Sequence, residues 1–332
     1  MSQLLARWLR HAWLLTLGGA LLCAGARAAV PLGPLDLTGY AGADGAISVQ
    51  HQGDTVDPYF ALQALLLARE FGLDIAPYAQ PWAHWLLQRQ KPDATFDRFC
   101  RVGPVWAPCK TADADDALLA LWMRLLDTMP HELESNPRWG ISHRASGAAL
   151  AALMDPSRGV YMVSPVYQHG LFMDNLEVLS YQPTCKPPCA AARARSGRLA
   201  HDIHRVFWDA DTRQFLVSTQ PEQKAMPDAF YPAQVTQLYP LLFDFKLIHL
   251  HPKAHYRRWM QQHRASWLAQ SHKDFAWGLV ALKFQDTTSA GCWLRETAAA
   301  RGTSHWIVTD EVARQVLLHR RVSPAAPGVA CH

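Results

Sequence analysis

The 332-residue chain is 49% hydrophobic and 18% charged, with 13 Trp and 7 Cys. That composition excludes an intrinsically disordered protein and leaves enough apolar side chain for a large core. Three of the four formal positive charges are Arg7, Arg10 and Arg27 of an N-terminal leader-like segment, so the remainder carries only about +1 and a basic nucleic-acid binder is not supported.

Arg7, Arg10 and His11 open the chain, an apolar run follows over residues 12–24, and Ala26-Arg27-Ala28 closes the segment. This is the pattern of a secretory signal peptide over residues 1–28. Its apolar run falls short of the roughly 20 residues of a bilayer span. Export to the periplasm or medium is therefore expected, with no stable membrane span and a single domain over residues 29–332. Cys100, Cys109, Cys185, Cys189, Cys292 and Cys331 remain. An even number in an exported chain favours disulfides. Cys100 and Cys109 are the expected pair, Cys185 and Cys189 would close a small ring, and the full connectivity stays open.

A repeat runs along the chain. Met154-Asp155 to Val163 and Trp208-Asp209 to Val217 each place a turn-forming Asp before a short β-favouring run. Asp174 follows Asp155 by 19 residues, and Asp228 follows Asp209 by 19. Fainter copies run from Asp93 to Asp116 and from Asp44 to Asp57. The segments after these acids predict helices over 59–68, 117–126, 176–181 and 234–243, with a fifth over 275–284 after Asp274. Several are apolar nearly all round, as a helix buried on all sides must be. Mixed segments over 82–90, 143–154, 190–206, 255–270 and 292–301 carry Arg, His and Gln on one face, as outer helices would. Trp82, Trp85, Trp122, Trp259 and Trp267 fall within these patterns and read as core.

Asp57, Asp115, Asp174 and Asp228 lie 58, 59 and 54 residues apart. Inner-outer hairpins at that spacing predict an all-α fold, an (α/α)6-type toroid with short β-strand pieces on one rim. In a ring of hairpins every inner helix points the same way, so distant acids gather at one end. An irregular bundle or an open solenoid would scatter them.

Thr111-Ala-Asp113-Ala-Asp115-Asp116-Ala-Leu-Leu-Ala120 is similar to the Asp-rich start of a central helix in family 8 glycoside hydrolases. With the Asp-turn-strand pieces at 155–163 and 208–217, the chain resembles the six-hairpin (α/α)6 glycosidases, loosely those of family 8. The resemblance implies a saccharide bound in an inner funnel. The Ser-Glu-Gly-Gln type segment that carries the proton donor in family 8 is absent; Thr55-Val-Asp57-Pro-Tyr59 stands in its position. Asp113-x-Asp115-Asp116 also resembles the acid motif of class II terpene cyclases, a second toroidal family.

Glycosidic hydrolysis needs one carboxyl group to protonate the leaving oxygen and a second to activate water or attack. Asp115, Asp174 and Glu177 are the expected catalytic groups. Asp174 and Glu177 share a helical face, and their repulsion would raise one pKa. Capping explains any single Asp before a helix, but not Asp113, Asp115 and Asp116 together, nor Glu177 within a helix. Asp57, Tyr59, Trp106, Asp113, Asp116, Asn175, Asp228, Tyr231 and Trp277 are the expected substrate-binding residues, the aromatics because their faces stack on sugar rings. No metal or cofactor is expected from the spacing of His and Cys or of Gly. The expected partner is a polysaccharide or oligosaccharide, with no nucleic acid. Two alternatives stand beside the hydrolase. One is a polysaccharide lyase using Tyr231, Tyr167 or His169 as base; the other is a non-catalytic toroid that binds a glycan or takes part in export assembly.

Overall fold

The computed structural model describes residues 32–112, 114–181, 190–224, 229–248, 250–270 and 274–331. The signal-like segment, Asp113, Cys185, Cys189 and Asp228 lie outside them. The fold is mostly helical, with few and short strands. Its helices are α1 (Pro58–Glu70), α2 (Ala76–Leu87), α3 (Asp115–Asp127), α4 (Pro130–Ser135), α5 (Pro137–Ala152), α6 (Phe172–Ser180) and α7 (Ala190–Phe207). There follow α8 (Pro221–Lys224), α9 (Tyr239–Leu242), α10 (Pro252–Leu268), α11 (Phe275–Lys283), α12 (Thr287–Thr297) and α13 (Val308–His319). Among the described residues, no helix is long and apolar enough to cross a membrane.

Local chemistry sets the helix starts. The Asp57 carboxylate accepts from the Tyr59 N–H and Pro58 takes the first helical position of α1, where no N–H is needed. Every residue from Ala61 to Ala68 is buried. Asp115 and Asp116 lie in the first turn of α3 and Arg124 in its last, as the helix dipole favours. Asp274 caps α11 and Asp286 caps α12.

Packing follows a closed order. Helix α1 contacts α3, α3 contacts α6, α6 contacts α9, α9 contacts α11, α11 contacts α13, and α13 returns to α1. Outside this cycle α2 packs on α1 and α3, α5 on α3, α7 on α6, and α12 on α11. The inner and outer roles match the sequence pattern: α1, α3 and α11 bury nearly all their side chains, whereas α5, α7 and α10 keep an exposed face.

Strands tie together the segments that lead into the inner helices. β1 (Gly33–Pro34) pairs parallel with β3 (Leu73–Asp74), and β2 (Thr55–Val56), just before α1, pairs antiparallel with β4 (Asp97–Val102), which pairs with β5 (Val105–Thr111), just before α3. The Asp115 N–H at the start of α3 donates to Val163 O at 2.8 Å. Leu171, at the start of α6, bridges to Ser218, and Gln50 bridges to Ile307 at the start of α13. The N-terminal ends of α13, α1, α3 and α6 therefore share one rim.

The expected Asp-turn repeat is present. β6 (Met154–Asp155) pairs with β7 (Val160–Tyr161), and β8 (Trp208–Asp209) pairs with β9 (Gln214–Phe215). Asp155 accepts from the Ser157 N–H and Asp209 from the Asp211 N–H. The fourth residue after each Asp is left-handed, Gly159 at φ 74° and Arg213 at φ 56°. Glycine is needed only at the first, because a Cβ there would run into the Asp202 carboxylate.

Two helix expectations are corrected. The segment 234–243 is not one helix: a π-type turn at Phe230–Gln234 and the short α9 are separated by a break. Pro240 has no N–H to return to Thr236, so the helical ladder is interrupted there. Residues 308–319 form a sixth inner helix that the sequence reading passed over. Cys100 and Cys109 are bonded as expected, and Cys292 pairs with Cys331.

Candidate active site

Three carboxyl groups lie buried among the inner helices. Asp116 and Glu177 are wholly buried and Asp174 is 8% exposed. Asp116 comes from α3, and Asp174 and Glu177 come from one face of α6, three residues apart. Each is close enough to the others for charge to matter. Burial, and then the Asp174 charge, pushes the Glu177 carboxyl up to about 8. Burial and the same Asp174 charge push Asp116 well above the usual carboxylate range. Asp116 Oδ1 accepts from the Ala117 N–H at 2.9 Å. Asp116 Oδ2 and Glu177 Oε2 have no hydrogen-bond partner among the described residues.

Helix α1 supplies the polar groups facing Glu177. The Tyr59 hydroxyl donates to Glu177 Oε1 at 2.9 Å, and Gln63 Nε2 donates to the same oxygen at 3.0 Å. Gln63 Nε2 also lies 2.9 Å from the Tyr59 hydroxyl oxygen. Both donors favour the ionised form of Glu177 and oppose the upward push of burial. Burial and the Glu177 charge keep the Tyr59 phenol protonated. Tyr239 of α9 is buried beside the same group, its phenol raised first by burial and then by the charges of Asp274 and Glu177. Side chains of α1, α3, α6 and α9 thus meet at the middle of the ring, with Asp274 at the start of α11 close by.

The expected site residues separate into two sets. Asp116, Asp174, Glu177 and Tyr59 are brought together. Tyr231 stands on the surface, 66% exposed, at the entry to the broken α9 segment. Asp115 is corrected: Asp116, not Asp115, joins Asp174 and Glu177. Consecutive residues on a helix point about 100° apart, so Asp115 turns instead toward Lys91, Asp93 and Asp97. Burial against that mixed set raises its carboxyl to about 6.

Four substrate-binding expectations are also revised. Asp57 caps α1 and its Oδ2 forms an ion pair with Arg98 Nε at 2.7 Å. Asn175 is wholly buried; its side chain accepts from the Tyr161 N–H and donates to the carbonyls of Tyr161 and Leu171, so it is a strap between α6 and β7. Trp277 has no exposed face and packs edge-on against Trp267. Trp106 already carries the Arg101 guanidinium on its ring, 4.1 Å from the centroid. Asp113 and Asp228 lie outside the described residues.

Gln63 and Tyr239 were passed over in the sequence. Gln63 is the one strongly polar side chain between Phe60 and Ala68, in a helix otherwise apolar all round, and a buried amide there needs partners. That isolation was the available signal. Tyr239 offered none, sitting in an apolar run before Pro240.

A mostly helical ring with titratable groups at its centre is the class that fold and site define. No family model and no curated protein matches the sequence. Among solved structures, the chain is similar in fold to one described as a novel alpha-amylase from Clostridium perfringens. The TM-score is 0.54 at 7% sequence identity, over 85% of this chain and 94% of that one.

Proposed function

We propose that the protein is an exported, toroidal glycoside hydrolase acting on a polysaccharide, with Glu177 as general acid and Asp174 as the carboxylate that activates water or attacks the sugar. The observation that carries the proposal is the convergence of Asp116, Asp174 and Glu177 from two helices at the middle of the ring. Three carboxyl groups in so buried a place oppose folding, and their mutual effect is what acid–base chemistry uses. Glu177, with its pKa of about 8, holds its proton at neutral pH and can give it to a leaving oxygen. Asp174 keeps an edge toward solvent, where water or a sugar carbon would meet it.

Tyr59 and Gln63 are positioning residues that hold Glu177 Oε1 and leave the buried Oε2 without a partner among the described residues. Asp116 supplies a third carboxyl group, wholly buried and kept neutral by burial and the Asp174 charge. Exposed Tyr231 provides a stacking face at the entry. The fold likeness to an alpha-amylase supports a carbohydrate substrate, and places starch-type glucans first among those to try. Two disulfides support an oxidising compartment.

The test is release of reducing ends from starch, β-glucan, xylan, chitosan and uronate polymers, followed with ultraviolet absorbance of unsaturated sugars. Hydrolysis of one polymer without such absorbance is expected. Unsaturated products would establish a lyase instead, and saccharide binding with no cleavage of any polymer would establish a non-catalytic toroid.

A further inference from the structure

A groove of about 560 Å³ lies outside the ring, between α5 and α7, and no part of the proposed hydrolysis uses it. The outer helices do not pack closely on each other here, so the inner helices α3 and α6 form the floor. Met123, Leu150, Val178 and Leu199 make that floor and its walls apolar. Gly147 leaves the floor open on the α5 side; a Cβ there would meet the Met123 sulfur at 3.5 Å, an ordinary contact.

The mouth has the opposite character. Arg144, Arg195 and Arg198 line it and are exposed. None of the three makes an ion pair or hydrogen bond among the described residues. The acids nearby are already engaged, Asp202 with Arg205 at 2.9 Å and Asp127 with His143 at 3.1 Å. Three uncommitted guanidinium groups over an apolar trough complement a molecule with an apolar body and an anionic end. The groove volume falls in the range of small-molecule sites, roughly 300–1,000 Å³.

We infer that this groove binds a single-chain amphiphile, its hydrocarbon chain laid between α5 and α7 and its carboxylate or phosphate held by Arg144, Arg195 and Arg198. Guanidinium pairs either anion in a two-pronged geometry. Burial of the methylenes supplies the affinity and the arginines supply the selectivity.

Titration calorimetry on the full chain uses three ten-carbon probes below their aggregation concentrations: decanoate, decyl phosphate and the uncharged decanol. Saturable one-to-one binding of at least one anion is expected, with decanol at least about tenfold weaker, since 1.4 kcal/mol is tenfold. The Arg195→Glu/Arg198→Glu variant should lose at least about tenfold in affinity. Gly147→Leu, which fills the floor from α5, should lose binding with the melting transition retained. Hydrolysis should be unchanged in the arginine variant. No saturable binding, equal binding of decanol, undiminished binding by the folded variants, or binding only to anionic vesicles and not to the free amphiphiles would each overturn the proposal.

Discussion

The Tyr59 hydroxyl donates to Glu177 Oε1 at 2.9 Å, joining residues 118 apart in sequence. Helix α1 and helix α6 do not adjoin in the closed order of the ring; α3 lies between them. The bond therefore reaches across the middle of the ring, and it fixes one oxygen of a carboxyl group whose other oxygen has no partner. Because this bond lowers the Glu177 pKa against burial, Tyr59→Phe should raise it above about 8. A general acid works only while protonated, so activity should fall as pH rises through that value. In Tyr59→Phe the alkaline limb of the pH–rate profile should move to higher pH, and stability should fall by about 1 kcal/mol for the lost hydrogen bond. A limb that moves down, or stays in place, would contradict the role given to Tyr59.

Glu177 should also govern stability against pH. Its carboxyl group titrates near 8 in the folded protein and near the ordinary 4.5 when unfolded. Between those values the folded state binds the extra proton, so stability falls as pH rises from about 4.5 to about 8. Glu177→Gln removes the titration. The variant should melt higher than wild type at pH 8, by an amount on the order of a few kcal/mol, and show a flatter dependence on pH. Thermal melts at pH 5 and pH 8 measure it; a variant that loses stability equally at both would argue against a strained acid. Gain of stability with loss of activity is the trade expected of a functional group.

Asp115 and Asp116 are adjacent in sequence and separate in space. Asp116→Asn should lower kcat by about 10²-fold or more, the scale on which positioned acid–base groups act. Asp115→Asn, which changes a half-buried group among Lys91, Asp93 and Asp97, should change kcat less than about fivefold. Circular dichroism must show both variants folded. The reverse order would restore Asp115 to the centre of the chemistry.

Asp57 gives a structural prediction. Asp57→Ala removes the cap of α1 and leaves Arg98 without its 2.7 Å partner oxygen. The loss should be roughly 1–3 kcal/mol, combining a cap worth about 1 with a lost, partly buried ion pair. Asp57→Asn keeps the cap acceptor and should lose about half as much. Urea unfolding midpoints distinguish the two: equal losses would mean that the cap contributes nothing, and no loss in Asp57→Asn that the ion pair contributes nothing.

Periodicity made much of this fold legible, because buried inner helices must be apolar on all faces and their caps must be acidic or small. The positions of α1, α3, α6 and α11 followed from that rule, as did the Asp-turn pieces at 155–161 and 209–215. Helix α13 was just as legible and was overlooked: Val308, Val312, Ala313, Val316 and Leu317 keep helical spacing behind Asp310. The break before α9 was signalled by Pro240, within the segment 234–243 expected as one helix. In the site, Asp174 and Glu177 could be paired from their spacing alone. The choice between Asp115 and Asp116 could not be made, since it turns on where the helix begins by a single residue. Trp106 and Trp277 raise a related difficulty: indole side chains near a helix start serve the core or a substrate according to tertiary packing.

The most direct measurement is kcat/KM for wild type, Glu177→Gln and Asp174→Asn on the best-cleaved polysaccharide, with folding verified for each. Losses of about 10³-fold or more are expected for both variants, as when a general acid or its partner carboxylate is neutralised. Cleavage at wild-type rates by a folded Glu177→Gln protein would contradict that expectation.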